Sequence, residues 1–170
     1  MKLLISIATI VGFALTAGNG LAKTEVLARA GAWQAFGGTS DNGQPVCGMS
    51  SSGAGRYFGV KYYAGDDTIT IQLGSNKWTL KNNVKVKVQM QFDKASPWQA
   101  VGNGMHFSDG DAGLQFEINK KQLEQFVQEF RDSNAIAVRF PDEDISDWHG
   151  SLEGTEVVSN NFLSCSRKLR

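Results

Sequence analysis

Apolar and polar residues alternate with period two through much of residues 56–93. Ile69, Ile71 and Leu73 interleave with Thr68, Thr70 and Gln72. Val84, Val86, Val88, Met90 and Phe92 interleave with Lys85, Lys87, Gln89 and Gln91. In a strand, such spacing sends one set to a buried face and the other to solvent. Residues 56–64 are rich in aromatic and β-branched side chains, which suit a pleated surface. Gly65-Asp66-Asp67, Gly74-Ser75-Asn76 and Lys81-Asn82-Asn83 have turn chemistry. Between the last two turns, Trp78 and Leu80 oppose Lys77, Thr79 and Lys81. The pattern predicts four consecutive strands in an antiparallel meander with one wet face. A helix would scatter these apolar positions around its surface.

Upstream, residues 32–36 and 46–49 read as short strands. Loops of small and polar residues are expected at 37–45 and 50–55. Downstream, residues 98–101 and 104–107 read as a hairpin through Gly102-Asn103, and 113–118 as a further strand. The period then changes. Leu123, Phe126, Val127 and Phe130 form a helical stripe. Asn119 with Gln122 resembles a capping box at its start, and the helix should end near Asp132-Ser133-Asn134. A strand at 135–140, an acidic loop at 142–148 and a short extended piece ending at 151–154 follow. Thr155 is the expected cap of a final helix. Val158, Phe162 and Cys165 lie on its inner face, and Arg167, Lys168 and Arg170 at its negative end. The fold class is α+β, mostly β: an antiparallel meander forming a sandwich or curled sheet, with two C-terminal helices packed on it.

The start of the chain changes the picture of where this fold works. Met1-Lys2, an apolar run from Leu3 to Ala17, and small residues at Gly20 and Ala22 make the three parts of a secretory signal. Cleavage is expected after Ala22, giving a signal peptide at 1–22 and a single β-rich domain at 23–170. A periplasmic or secreted location follows, with no stable membrane span after cleavage. Lys plus Arg and Asp plus Glu balance at 17 each, so net charge gives no pull towards nucleic acid or an anionic membrane. Cys47 and Cys165 are the two cysteines. An even count and an oxidising destination point to one disulfide between them. Over so long a loop it is worth about 4–5 kcal/mol in the chain-entropy account.

Candidate chemistry is sparse. His106 lies near Asp109 and Asp111, and His149 near Asp147, but no Gly-x-Ser-x-Gly elbow accompanies either. Asp109-Gly110-Asp111 departs from a calcium loop, with Leu114 where Gly is needed, and reads as a turn. Asp142, Glu143, Asp144 and Asp147 offer carboxylates for glycoside hydrolysis, but adjacent acids in one segment describe a solvated loop. No phosphate loop, dinucleotide fingerprint or zinc spacing occurs, so no cofactor, metal or catalytic residue is assigned. The wet face of the meander carries Lys61, Lys77, Lys81, Lys85 and Lys87, with Lys94 close by and Tyr57 and Tyr63 beside Lys61. Lysines among aromatics can hold an anionic polymer; equally, they keep strand edges soluble. Trp98 and Trp148 adjoin turns or loops, where they can stack on sugars or anchor a core.

The chain resembles small secreted alphaproteobacterial proteins of the invasion-associated locus B type, many of them uncharacterised. The signal segment, Trp33 in an early strand, Cys47, the antiparallel core and Cys165 carry the resemblance. So does the closing pattern of Phe140, Trp148, Leu152, Gly154, Phe162 and Cys165. It departs at Cys47, which stands well downstream of Trp33 where those proteins place a Cys soon after the first Trp. The resemblance implies a non-enzymatic envelope or host-interaction role and transfers no functional residue. The expectation is an exported binding protein with a protein or glycan partner, acting as a virulence accessory or a protein inhibitor. The alternatives are a carbohydrate-binding module or a hydrolase using the acidic residues.

Overall fold

The computed structural model describes residues 23–141 and 143–169. The expected signal segment, Asp142 of the acidic loop and Arg170 lie outside the described residues. Ten strands form one antiparallel sheet: β1 (Lys23–Ala30), β2 (Trp33–Thr39), β3 (Pro45–Gly53), β4 (Arg56–Tyr63), β5 (Thr68–Ser75), β6 (Lys85–Phe92), β7 (Trp98–His106), β8 (Ala112–Asn119), β9 (Ala135–Arg139) and β10 (Trp148–Ser151). Two helices complete it, α1 (Leu123–Asp132) and α2 (Thr155–Lys168). The strand order is β1-β2-β3-β4-β5-β8-β7-β6-β9-β10. β1 and β10 are therefore the two edges of an open sheet. Among the described residues all ten strands belong to this one antiparallel sheet, which is not closed, and a sandwich is not confirmed. α1 is followed by β9 and β10, so only α2 is C-terminal.

The expected four-strand meander breaks after β5. Residues 76–84 form no strand. Trp78 instead turns inward, stacking on Trp148 at 4.9 Å and meeting Phe140 edge-on at 5.4 Å. Its apolar alternation with Leu80 goes into packing against the core rather than ladder pairing. The loop carries the chain across the sheet, so that β8 takes the place beside β5 and β7 lies between β8 and β6. The expected hairpin through Gly102-Asn103 is likewise absent, and β7 runs straight through both residues. β6 pairs with one side of this stretch, while β8 pairs with the other from Asn103 onward. A Cβ on Gly104 would lie 2.1 Å from the Lys81 carbonyl oxygen, so this glycine marks a close approach and not a turn.

The small residues at 50–53 extend β3 rather than forming a loop, because β4 pairs with them backbone to backbone through Gly53. β2 likewise continues to Thr39. β1 escaped the pattern because it is an exposed edge strand whose register slips between Val26 and Ala28. Asn119 does cap, but it accepts from the Lys121 amide to open a 3-10 turn at Lys120–Gln122. Gln122 then precedes α1 without a side-chain capping bond, so no capping box closes. Gly154, not Thr155, caps α2. Thr155 is its first residue, and its hydroxyl donates to the Leu152 and Phe130 carbonyls at 2.7 and 3.2 Å.

The concave face of the sheet holds the core. Met49, Val60, Ile71, Leu73, Val88, Met90 and Leu114 line it, fully or almost fully buried. α1 lowers Leu123, Phe126, Val127 and Phe130 into the hollow, and α2 adds Val158 and Phe162. Each such side chain is worth about 1.5–3 kcal/mol of burial. Cys47 of β3 is bonded to Cys165 of α2, with Cα atoms 5.9 Å apart. The bond fastens the last helix to the sheet.

Candidate functional site

The curl brings the start of β2 against the far edge of the sheet. Trp33 Nε1 donates to the Ser151 carbonyl of β10 at 3.1 Å. Beside this bridge, a cleft of about 240 Å³ opens between β3 and β4 on one side and β9 and β10 on the other. Trp33, Phe58, Ile136, Val138 and Trp148 form its apolar floor. The aromatic members are held rigidly. Trp33 stands edge-on to Phe130 at 4.9 Å and to Phe58 at 5.7 Å. Trp148 is braced by Trp78 and by Phe140. Arg56, the first residue of β4, places its guanidinium 5.4 Å from the centre of the Trp148 ring. Such a contact is worth about 0.5–1 kcal/mol where exposed and leaves the guanidinium N–H groups available to an anion. The arrangement suits an apolar group with a carboxylate beside it.

The lysines do not converge. Lys61 lies on β4, Lys85 and Lys87 on β6, and Lys77 and Lys81 on the loop between β5 and β6. With β5, β8 and β7 between them, β4 and β6 stand roughly 19 Å apart along the sheet. The missing strand at 76–84 is what separates them. Lys85 donates to the Asn103 side chain across to β7. Burial holds the Lys61 ammonium pKa below its usual range, against the opposing pull of Asp41. Tyr57 and Tyr63 do share the outer face of β4 with Lys61. Burial, helped by Tyr63, pushes the Tyr57 phenol up to about 12, and burial raises Tyr63 too, with Asp66 and Asp41 adding to it.

Trp98 lies outside the cleft. Its indole donates to Glu129 at 2.6 Å and packs edge-on against Phe126, which ties β7 to α1. Trp148 is buried in the cleft floor and does not stand free as a sugar platform. His106 pairs through Nδ1 with Asn82 at 2.8 Å, and His149 sits exposed on β10 at the cleft rim. Asp109-Gly110-Asp111 is a turn, with the Asp111 amide donating to Asp109 at 3.1 Å. Asp147 faces Arg139 at 3.9 Å. Among the described residues, no three His, Cys, Asp or Glu side chains gather as a metal site would. Sequence reasoning missed Arg56, Phe58 and Ile136 as site residues. Arg56 and Phe58 lie on β4 and Ile136 on β9, far apart in the chain, and no local pattern links the two strands.

No family model matches the chain, and no curated protein does. A solved structure does resemble it. The chain folds like invasion associated protein B from Bartonella henselae. The two superpose with a TM-score of 0.56, over 87% of this chain and 99% of that one, at 15% sequence identity. The likeness to invasion associated protein B is one of fold, and it agrees with the resemblance carried by Trp33, Cys47 and the closing residues.

Proposed function

We propose that the protein is an exported, non-enzymatic interaction protein of the bacterial envelope, a virulence accessory that meets its partner through the cleft between β3–β4 and β9–β10. The cleft carries this reading: a rigid apolar floor with one arginine at its mouth suits holding an apolar group beside an anion. The fold shared with a protein described as invasion associated supports the biological setting. The disulfide supports an oxidising compartment, since such bonds are rare in the cytosol.

A photo-crosslinking residue at Ser52 or His149, in cells that produce the protein, tests the contact site. Adducts are expected from these rim positions and not from Gln125 on the outer face of α1. No adduct at the rim, in culture or with host cells, removes the cleft from consideration. Mass spectrometry of the extracytoplasmic fraction should find a chain beginning near Lys23. An intact Met1 there argues against export by signal cleavage.

A further inference from the structure

We propose that the free edge of β10 takes up an extended peptide, which lowers an apolar side chain into the cleft and presents a carboxylate to Arg56. This rests on the cleft being the contact site and names the chemistry of the partner. Among the described residues β10 pairs with β9 alone, Trp148 opposite Val138 and Ser151 opposite Ala135. The Leu152 amide donates to the Asn134 carbonyl, which sets the phase of the ladder. Residues 148, 150 and 152 therefore face β9, and residues 149 and 151 face away, because the pairing alternates. The bond from Trp33 to the Ser151 carbonyl agrees with this phase. The His149 amide and carbonyl and the Ser151 amide are left pointing along the open edge.

Across the cleft, β3 overhangs. β2 begins at Trp33 opposite Ser51, so Ser52 and Gly53 have β4 on one side and no β2 residue on the other. Exposed backbone thus stands on both banks of an apolar hollow. A strand added to an edge draws its affinity from main-chain hydrogen bonds and its selectivity from a pocket that takes alternate side chains. At about 240 Å³ the hollow is smaller than the ~300–1,000 Å³ of drug-sized ligand sites, and it suits a single large side chain. Charge selects further. Arg56 is the cation at the mouth, and among the described residues it has no ion-paired carboxylate. Asp109 and Asp111 line the neighbouring hollow with it, outside ion-pair reach. A fatty carboxylate would satisfy Arg56 and the floor but would leave the rim amides unused.

The exported chain, disulfide intact, is tested against an array of blocked peptides with a Thr-Val background, one central Phe or Leu, and one Glu moved through the neighbouring positions. Binding is expected for a subset with Glu beside the apolar residue. N-methylation of alternate amides should abolish it, while methylation of the intervening ones should not. Arg56→Gln should weaken it about tenfold, and Lys121→Gln on the far side should leave it unchanged. His149→Pro removes an amide that points off the sheet, a position where an edge strand tolerates proline, and should weaken binding. If that variant does not fold, the methylated peptides decide alone. A silent array, or binding indifferent to methylation, overturns the proposal. Decanoate bound in an Arg56-dependent way without any peptide also overturns it, yet leaves the cleft standing as the contact site. Failure of that broader reading is seen separately, as missing crosslinks at the rim.

Discussion

Asp93 shows how much a single exposed side chain can organise. It closes β6 with a positive φ of 45°, and its carboxylate accepts from the Asn134 and Ala135 amides, both at 2.9 Å. These bonds, first the one from the Asn134 amide, hold its pKa below the ordinary carboxylate range. A depressed carboxylate contributes stability that is complete above its unfolded pKa of about 3.9 and fades as pH falls through the folded value. Asp93→Asn should therefore melt earlier than the parent near neutrality, with the two melting curves converging in acid. A gap that stays constant from pH 7 to pH 2 would show that the charge is irrelevant. Nothing in the sequence marks this role, since Asp93 reads as one more polar residue after Phe92. Its partners lie 41 and 42 positions away. The bond between Cys47 and Cys165 was legible, because two cysteines leave one pairing.

Strands and helices were legible where the apolar period and the ladder are regular, although the expected wet face of β5 is covered, with Thr70 and Gln72 buried. β5, β6, β8 and the α1 stripe all follow the simple period. The readings failed where packing outweighed local pattern, at Trp78 and Leu80, and where glycine meant close approach, in β7. Two predictions belong here. Gly154 has φ of 89°, and a Cβ on it would come 2.6 Å from the Ala30 carbonyl oxygen. It seats α2 against the β1–β2 turn, so Gly154→Ala should cost about 1–3 kcal/mol in denaturant unfolding. A loss within error would mean that the turn yields freely. Replacing Cys47 and Cys165 together by Ala should cost about 2–5 kcal/mol while the fold persists. α2 should then lose hydrogen-exchange protection before the central strands, since the bond is its only covalent tie to β3. Uniform loss across the sheet would contradict that order.

Across the whole molecule, the single bond from Trp33 to Ser151 links the start of β2 to the edge strand β10. Trp33→Phe keeps most of the apolar contact and removes the donor. It should cost about 0.5–1.5 kcal/mol and speed amide exchange in β10 more than in β5. Equal exchange in both strands would mean that the bridge does not hold the edge. Neither the bridge nor the cleft was legible in the sequence, because both depend on how far the sheet curls, and curl is not written in any one strand. The disulfide has a mechanical consequence as well. Cys47 and Cys165 stand 118 positions apart and are covalently joined. A load applied at residue 23 and residue 169 passes directly between them. The segment they enclose, with β4 to β10 and most of the cleft, carries no tension. Only β1, β2, the start of β3 and the tail of α2 lie in the force path, and they should peel away first. In a single-molecule pull, adding a reductant should lengthen the fully extended chain by roughly 400 Å, at about 3.3–3.6 Å for each released residue. A protein tethered between two surfaces would thus keep β4 to β10 folded while the Trp33 side of the cleft strains with β2.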